Sequence, residues 1–204
     1  MVRAGAHLTG IFKKAARFWA DRRGVAAIEF AFIAPILLIM YFVTMEASQA
    51  IETSKKVSRV GSMVADLVTQ QTSVVKADLD AIMKIGTSTL LPYNRSAPDI
   101  TITAIQVTTD ATPKVLVVWS RKVLSGTYGA GAVANSVTTV PATLKVAGTF
   151  LIRVESSLGY KPILTWSPGG QQQLGLTSAF NSLSMGETYY LRPRRGLTIT
   201  CSDC

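Results

Sequence analysis

The nineteen consecutive residues from Val25 to Val43 carry a single charged side chain, that of Glu29. A helix of this length is about 28 Å long, which is close to the hydrocarbon thickness of a bilayer. The run therefore predicts a transmembrane helix. It divides the chain of 204 residues into a leader (residues 1–24), a membrane span (25–43) and one domain beyond the membrane (44–204).

The leader carries the charge that orients the span. Six basic residues and one acid give residues 1–24 a charge of +5, out of +9 for the whole chain. By the positive-inside rule the leader is cytoplasmic and residues 44–204 lie outside, which in a bacterium means the periplasm or beyond. Apolar leader residues alternate with Lys13, Lys14 and Arg17 at helical spacing, which predicts a helix on the inner leaflet. Because the membrane explains the excess charge, no nucleic-acid partner is expected.

Glu29 is the residue that a plain membrane anchor does not explain. A carboxylate near the end of a span costs on the order of 1 kcal/mol or more, so it indicates a function. Two other interpretations of the span remain open, a plain anchor and a secretory signal peptide cut after Ala50. Ser48 and Ala50 have the small side chains that a signal peptidase accepts, but the apolar run exceeds the usual ~7–15 residues.

The sequence around this glutamate resembles a known family. "RRGVAAIEFAFIAPILL" (22–38) is similar to the TadE/TadG family of pilin-like proteins of the tight-adherence (Tad, or Flp) pilus system, which is related to type IV prepilins. "VSRVGSMVADLVTQQ" (57–71) and "YYLRPRRGLTITCSDC" (189–204) also resemble segments of that family. The resemblance implies a pilin-like fold and a minor pilin, pseudopilin or assembly factor of an adhesive pilus. It also implies three kinds of partner: a prepilin peptidase, other pilin-like subunits and the Tad secretion machinery.

The same resemblance assigns roles to residues at the start of the span. A prepilin-type peptidase would cut between Gly24 and Val25 and leave a new amino group on Val25. Glu29, with Phe30 beside it, would then set the register of packed subunits, because a buried carboxylate needs a counter-charge. Pro35 removes one helix hydrogen bond and predicts a kink in the span.

The exported domain reads as α+β, with the long N-terminal helix continuing into a domain built on a mainly antiparallel sheet. An apolar stripe predicts a helix over 44–72 that packs on that sheet, and a second helix over 77–86 is predicted to end at its glycine. The stripe consists of Val57, Val60, Val64, Leu67 and Val68. Strands are predicted in the sheet-rich region 99–204, at 99–110, 114–124, 149–160, 187–193 and 196–200. The low-charge segment 125–136 is predicted to be a loop with little to hold it rigid.

Two groups near the C-terminus have competing interpretations. Cys201 and Cys204 form a C-x-x-C pair, for which an exported location favours a local disulfide over a redox motif or a zinc site. A link to another chain also remains open. Arg192, Arg194 and Arg195 could bind an acidic partner, a lipid head group or DNA, or could form a solvated strand end.

The sequence predicts a protein that is not an enzyme and needs no cofactor or metal. His7, in the leader, is the single histidine, so the domain has no Ser-His-Asp, Cys-His or His-bearing metal site. Phosphate-binding and dinucleotide-binding loops are also missing from the sequence. The alternative function is that of an uncleaved, single-span envelope protein whose exported domain binds a ligand or partner.

Overall fold

The computed structural model describes residues 24–162 and 183–204. The predicted leader helix lies outside the described residues. So does "SPGGQQQ" (167–173), a segment whose composition predicts a turn followed by a polar loop. The chain divides into two compact units between Ala47 and Ser48.

Helix α1 spans Val25–Thr69 and contains Pro35 without interruption. In the first unit its large apolar side chains are exposed: Val25, Ile28, Phe30, Phe32, Ile33, Ile36, Leu37, Leu38, Ile39, Met40 and Tyr41. Among the described residues, α1 alone is long and apolar enough to cross a membrane, and none of its most apolar 18-residue window is buried. The predicted span therefore has the length and the exposed apolar surface that a bilayer requires.

In the second unit α1 packs on a sheet, as the predicted stripe requires. Val57, Val60, Val64 and Val68 are each at most 1% exposed, and Leu67 packs beside them. The prediction that this stripe forms core is confirmed. The helix ends at Thr69, three residues before its predicted end.

The main sheet has five strands, in the order β4-β3-β2-β5-β6, and every neighbouring pair is antiparallel. The strands are β2 (Asp99–Val107), β3 (Val115–Leu124), β4 (Thr127–Ala130), β5 (Phe150–Gly159) and β6 (Ser184–Leu191). A short 3₁₀ turn, Ala142–Leu144, precedes β5. The predicted class, α+β with a long apolar helix and a mainly antiparallel sheet, is confirmed.

The helix rests directly on β5 where a glycine removes the side chain. A Cβ on Gly61 would lie 2.6 Å from Ser156 Oγ, so a larger residue would lift the helix off the strand. Beside this contact Ser58 Oγ and Tyr189 OH share a hydrogen bond of 2.5 Å. Ser156 Oγ also donates to the carbonyl oxygen of Val57, at 3.2 Å. The helix–sheet interface thus combines an apolar core with a few satisfied polar groups.

The second helix, α2, spans Lys76–Ser88, and the prediction that it ends at Gly86 is wrong. Gly86 lies inside α2 and faces α1. A Cβ at Gly86 would lie 2.8 Å from Val64 Cγ2 and 3.2 Å from Val60 Cγ1. The glycine therefore allows two helices to approach closely, and it does not terminate one.

The prediction of an unsupported loop at 125–136 is also wrong in part, because β4 lies within it. Leu124 pairs with Thr127, which leaves Ser125 and Gly126 as a two-residue turn. Both turn residues have positive φ, 48° and 85°, as a type I′ hairpin requires. Farther along, Asn135 N donates to the carbonyl oxygen of Val117 at 2.7 Å. The segment is held by hydrogen bonds along the edge of β3.

The last predicted strand, 196–200, is largely wrong. The observed strand β7 is Thr200–Cys201, and it pairs in parallel with β1 (Ser73–Val74) as a separate two-stranded sheet. Just before it, the Ile199 carbonyl accepts a hydrogen bond from the buried Trp119 side chain at 2.8 Å, so its partner is an indole rather than a neighbouring strand. This pairing is non-local, and no local pattern encodes it.

Candidate membrane span and processing site

Helix α1 begins at Val25, directly after Gly24, and both residues are exposed. A Cβ added to Gly24 would meet no atom within 4 Å, and its φ is not in the positive range. Among the described residues, nothing therefore requires a glycine at this position. This contrasts with Gly61 and Gly86, where close neighbours exclude a side chain.

Glu29 follows Val25 by four residues, so the two lie on one face of α1 about one turn apart. Glu29 is exposed and makes no hydrogen bond or ion pair within the described residues; Phe30 next to it is 68% exposed. Helical side chains lean towards the N-terminus, so this carboxylate lies over the turn that begins at Val25. A charge on Val25 N could therefore be met by Glu29 of the same chain as well as by that of a neighbour.

Pro35 lies in the exposed part of α1, and the helix continues on both sides of it. Its ring leaves the carbonyl of Ala31 without the usual helical partner. The kink at this position stays a prediction.

The alternative cleavage site, Ala50, lies well inside α1 and belongs to the core of the second unit, where it is 6% exposed. Proteases cut preferentially at exposed, irregular segments, so the folded chain does not present this bond. Gly24, at the start of the helix, is the more accessible of the two candidate sites.

Cys201 and Cys204 are joined by a disulfide, with their Cα atoms 5.6 Å apart. Asp203, between them, accepts a hydrogen bond of 2.8 Å from Lys76 N, so the pair holds a carboxylate at the N-terminus of α2. The two sulfurs and the Asp203 carboxylate lie within 4.8 Å of one another. Sulfurs that are bonded to each other offer no thiolate to a metal.

The three arginines do not share one role. The Arg194 side chain forms an ion pair with Asp66, and the Arg194 backbone N–H donates to the carbonyl oxygen of Thr69 at 2.9 Å. Arg194 therefore attaches the loop between β6 and β7 to the end of α1. Arg192 and Arg195 are exposed and make no hydrogen bond or ion pair within the described part of the chain. Sequence reasoning missed the Asp66 contact, because the two residues are far apart in the chain.

Other polar groups of the second unit pair with one another. Arg121 donates to both carboxylate oxygens of Asp80, at 2.9 and 2.7 Å, and ties β3 to α2. This hydrogen bonding raises the pKa of Arg121 above its usual value. No local pattern in the sequence indicates this pair either.

A pocket of about 310 Å³ lies between α1 and the segment that follows α2. It is lined by Gln49, Glu52, Thr53, Lys56, Pro92, Tyr93 and Arg95. Lys56 pairs with Glu52 at 3.0 Å, and Arg95 lies 4.5 Å above the Tyr93 ring. Arg95 also donates to the Lys161 carbonyl at 2.6 Å. The charged groups of this pocket are thus engaged with the protein itself.

The comparison with protein families concerns the first of these features, the start of α1. Residues 24–66 match the TadE-like protein family. The matched segment starts at the candidate processing glycine and includes the apolar part of α1 and most of its buried part. The resemblance stated from the sequence is confirmed for this segment, which is similar to TadE-like proteins.

The TadE-like segment and the apolar helix α1 together indicate a membrane-anchored protein. No curated protein and no solved structure matches the chain. The sheet, the arginines and the disulfide lie outside the TadE-like segment, and their roles have to be argued from the structure.

Proposed function

We propose that this protein is a minor pilin, pseudopilin or assembly factor of a Tad/Flp-type adhesive pilus. In this proposal it resides in the bacterial inner membrane with a cytoplasmic leader and a periplasmic domain. It catalyses no reaction and needs no cofactor; instead, it is the substrate of a prepilin-type peptidase that cuts after Gly24. The TadE-like match that begins at Gly24 carries the proposal.

Gly24 supports processing because the fold itself does not need a glycine there. A Cβ at this position would meet no neighbour, yet the residue stands at the boundary between the leader and α1. A side chain of one hydrogen lets a protease approach the backbone closely. Cleavage would place the new amino group of Val25 at the N-terminus of α1.

Glu29 supports assembly through charge. A new amino group on Val25 would carry a positive charge at neutral pH in water. Within a packed bundle of apolar helices an unpaired carboxylate is costly, so each Glu29 would be paired with an amino group. A stagger that places Glu29 of one subunit beside the Val25 amino group of another adds a contact to the one within each chain, and it is then favoured over other staggers.

The first test is the N-terminal residue and intact mass of the protein purified from membranes of its native host. We expect a chain that starts at Val25. A chain that starts at Met1 would contradict processing and support an uncleaved envelope anchor, and one that starts at Ile51 would support a signal peptide. Gly24→Val is the matched variant: it should remain uncleaved and still insert in the membrane, because Gly24 has no close neighbour.

The second test separates the charge of Glu29 from its shape. Glu29→Gln keeps the size of the side chain and removes the charge, whereas Glu29→Ala removes both. We expect both variants to be processed, and both to lose co-purification with other pilin-like subunits. Normal co-purification and normal pili in both variants would contradict the role of Glu29 in setting the register of subunits. The proposal of processing at Gly24 would be unaffected.

A further inference from the structure

The loop between β6 and β7 carries exposed side chains that the fold does not use. Leu197 is 91% exposed, more than any other large apolar residue of the described chain. Arg192 and Arg195 lie close to it in sequence, are exposed, and have no ionic partner within the described ranges. We call the group formed by Arg192, Arg195 and Leu197 the distal patch.

The distal patch is held in place at both ends. On one side Arg194 binds Asp66 and the carbonyl of Thr69 at the C-terminus of α1. On the other side Ile199 is 1% exposed, and its carbonyl accepts the hydrogen bond from Trp119. A loop fixed in this way loses little entropy when it binds, and that is the usual advantage of preorganisation.

The positive charge of the distal patch indicates that its partner carries negative charge. Residues 192–200 contain three arginines and no acid, and Asp66 neutralises one of the three. The remaining charge favours an acidic surface. Arginine is also among the residues that contribute most at protein interfaces, since its planar head binds carboxylates in two-pronged geometry.

Anionic lipid head groups would attract the two arginines as well. A crosslink from residue 197 to lipid would therefore contradict docking to a protein.

Leu197 distinguishes a protein from a polyanion. Acidic polysaccharides offer sulfates or carboxylates but no apolar pocket for an aliphatic side chain, and a duplex admits one only by unstacking a base step, which costs a few kcal/mol. A single exposed leucine is ordinary on a protein surface. One that follows two unpaired arginines within the same fixed loop has the composition of an interface anchor with a charged rim.

We infer that the distal patch is a docking site for a different protein, with Leu197 entering an apolar pocket and Arg192 and Arg195 binding carboxylates at its rim. This surface lies outside the TadE-like segment, and the inference does not depend on cleavage after Gly24. The N-terminal mass therefore tests the proposed function separately.

The test uses the full chain in membranes of its native host. Leu197 is replaced by the photoreactive residue benzoylphenylalanine, and crosslinked peptides are identified by mass spectrometry. Val133 is the matched control position, because it is 77% exposed in a loop of the same unit. We expect a crosslink from position 197, and none from 133, to a segment of another protein that has Asp or Glu next to apolar residues.

Adding Arg192→Ser and Arg195→Ser should lower the yield of this crosslink about tenfold, as expected for two rim contacts. The yield should also fall as salt is raised. The inference is overturned if the two arginine substitutions leave the crosslink yield unchanged, if no crosslink forms from position 197, or if position 133 gives an equal yield. A crosslink to a partner segment without acids, to a second copy of this chain, to residues 163–182 of the same chain, or to nucleic acid or glycan also overturns it.

Discussion

Val60 and Ile36 are β-branched residues of the same helix, yet Val60 is fully buried and Ile36 is 59% exposed. The difference extends to their neighbours. Around Ile36 the apolar side chains cover every face of α1, whereas around Val60 they form one stripe, with Lys55, Arg59 and Asp66 off it. One helix thus carries two surfaces designed for different surroundings.

The comparison shows that helix formation and burial have separate causes. Backbone hydrogen bonds are satisfied locally in both halves of α1, so both can be helical. Burial needs a partner of matching surface. For the second half the partner is the sheet, and for the first half the all-round apolar surface fits lipid or other apolar helices.

The most disruptive change is a charge placed in the buried half of α1. Val64→Asp would bury an unpaired carboxylate against α2 and the sheet, which should cost more than about 4 kcal/mol. We expect the second unit to lose its protease-resistant core while the chain stays in the membrane fraction. A resistant core of normal size would show that the stripe is not what holds α1 to the sheet.

The matching change in the exposed half should affect insertion and spare the fold. Leu37→Asp places a charge near the middle of the span, at a cost of about 2.5–3.5 kcal/mol. Extraction by alkaline carbonate should then remove much of the protein from membranes, and the protease-resistant core should persist in the released chain. Full retention in the membrane would contradict the assignment of this half to lipid.

Two glycines test the same difference between the two halves of α1 with a smaller change. Gly86→Ala puts a Cβ 2.8 Å from Val64 Cγ2, and we expect a loss of about 1–3 kcal/mol from overpacking. Gly24→Ala, in the exposed half, meets no neighbour and should leave the unfolding free energy unchanged. Pulse proteolysis of the detergent-solubilised chain in urea measures both; equal midpoints would show that α2 can move away from α1.

The smallest expected effect concerns the disulfide beyond the buried half. Cys201→Ser with Cys204→Ser opens a ring of four residues, so the loss of stability should be less than about 2 kcal/mol. Asp203→Asn is the companion variant, since it weakens the contact with Lys76 N while keeping the sulfurs. A double variant that fails to fold would show that the disulfide contributes far more than its short ring implies.

Much of the fold follows from periodicity, because the patterns that encode it are local. The long helix, its stripe and most of the sheet strands could be predicted in this way. Strand β4 was missed although Ser125-Gly126 is a dipeptide typical of turns, because the strand that follows is only four residues long. The role of Gly86 was misjudged because its reason for being glycine is a residue on another helix.

In the candidate site, too, residues encoded by a local pattern could be predicted, and the roles of residues with distant partners could not. Gly24, Val25 and Glu29 were found from a contiguous string, and the family match begins at the first of them. The different roles of Arg192, Arg194 and Arg195 could not be predicted, because Asp66, which separates Arg194 from the other two, lies far away in the chain. Local sequence therefore indicates where charged groups are, but not which of them the fold already uses.

The pairing of Lys76 with Asp203, 127 residues apart, has a consequence for the order of events during synthesis. A ribosome adds about 5–20 residues per second, so roughly 6–25 s separate the emergence of these two partners. Throughout that interval the small parallel sheet and the Asp203 contact with α2 cannot form. The nascent chain must keep the valine stripe of α1 from aggregating before the late strands arrive, which makes this interval the period in which a chaperone would be of most use.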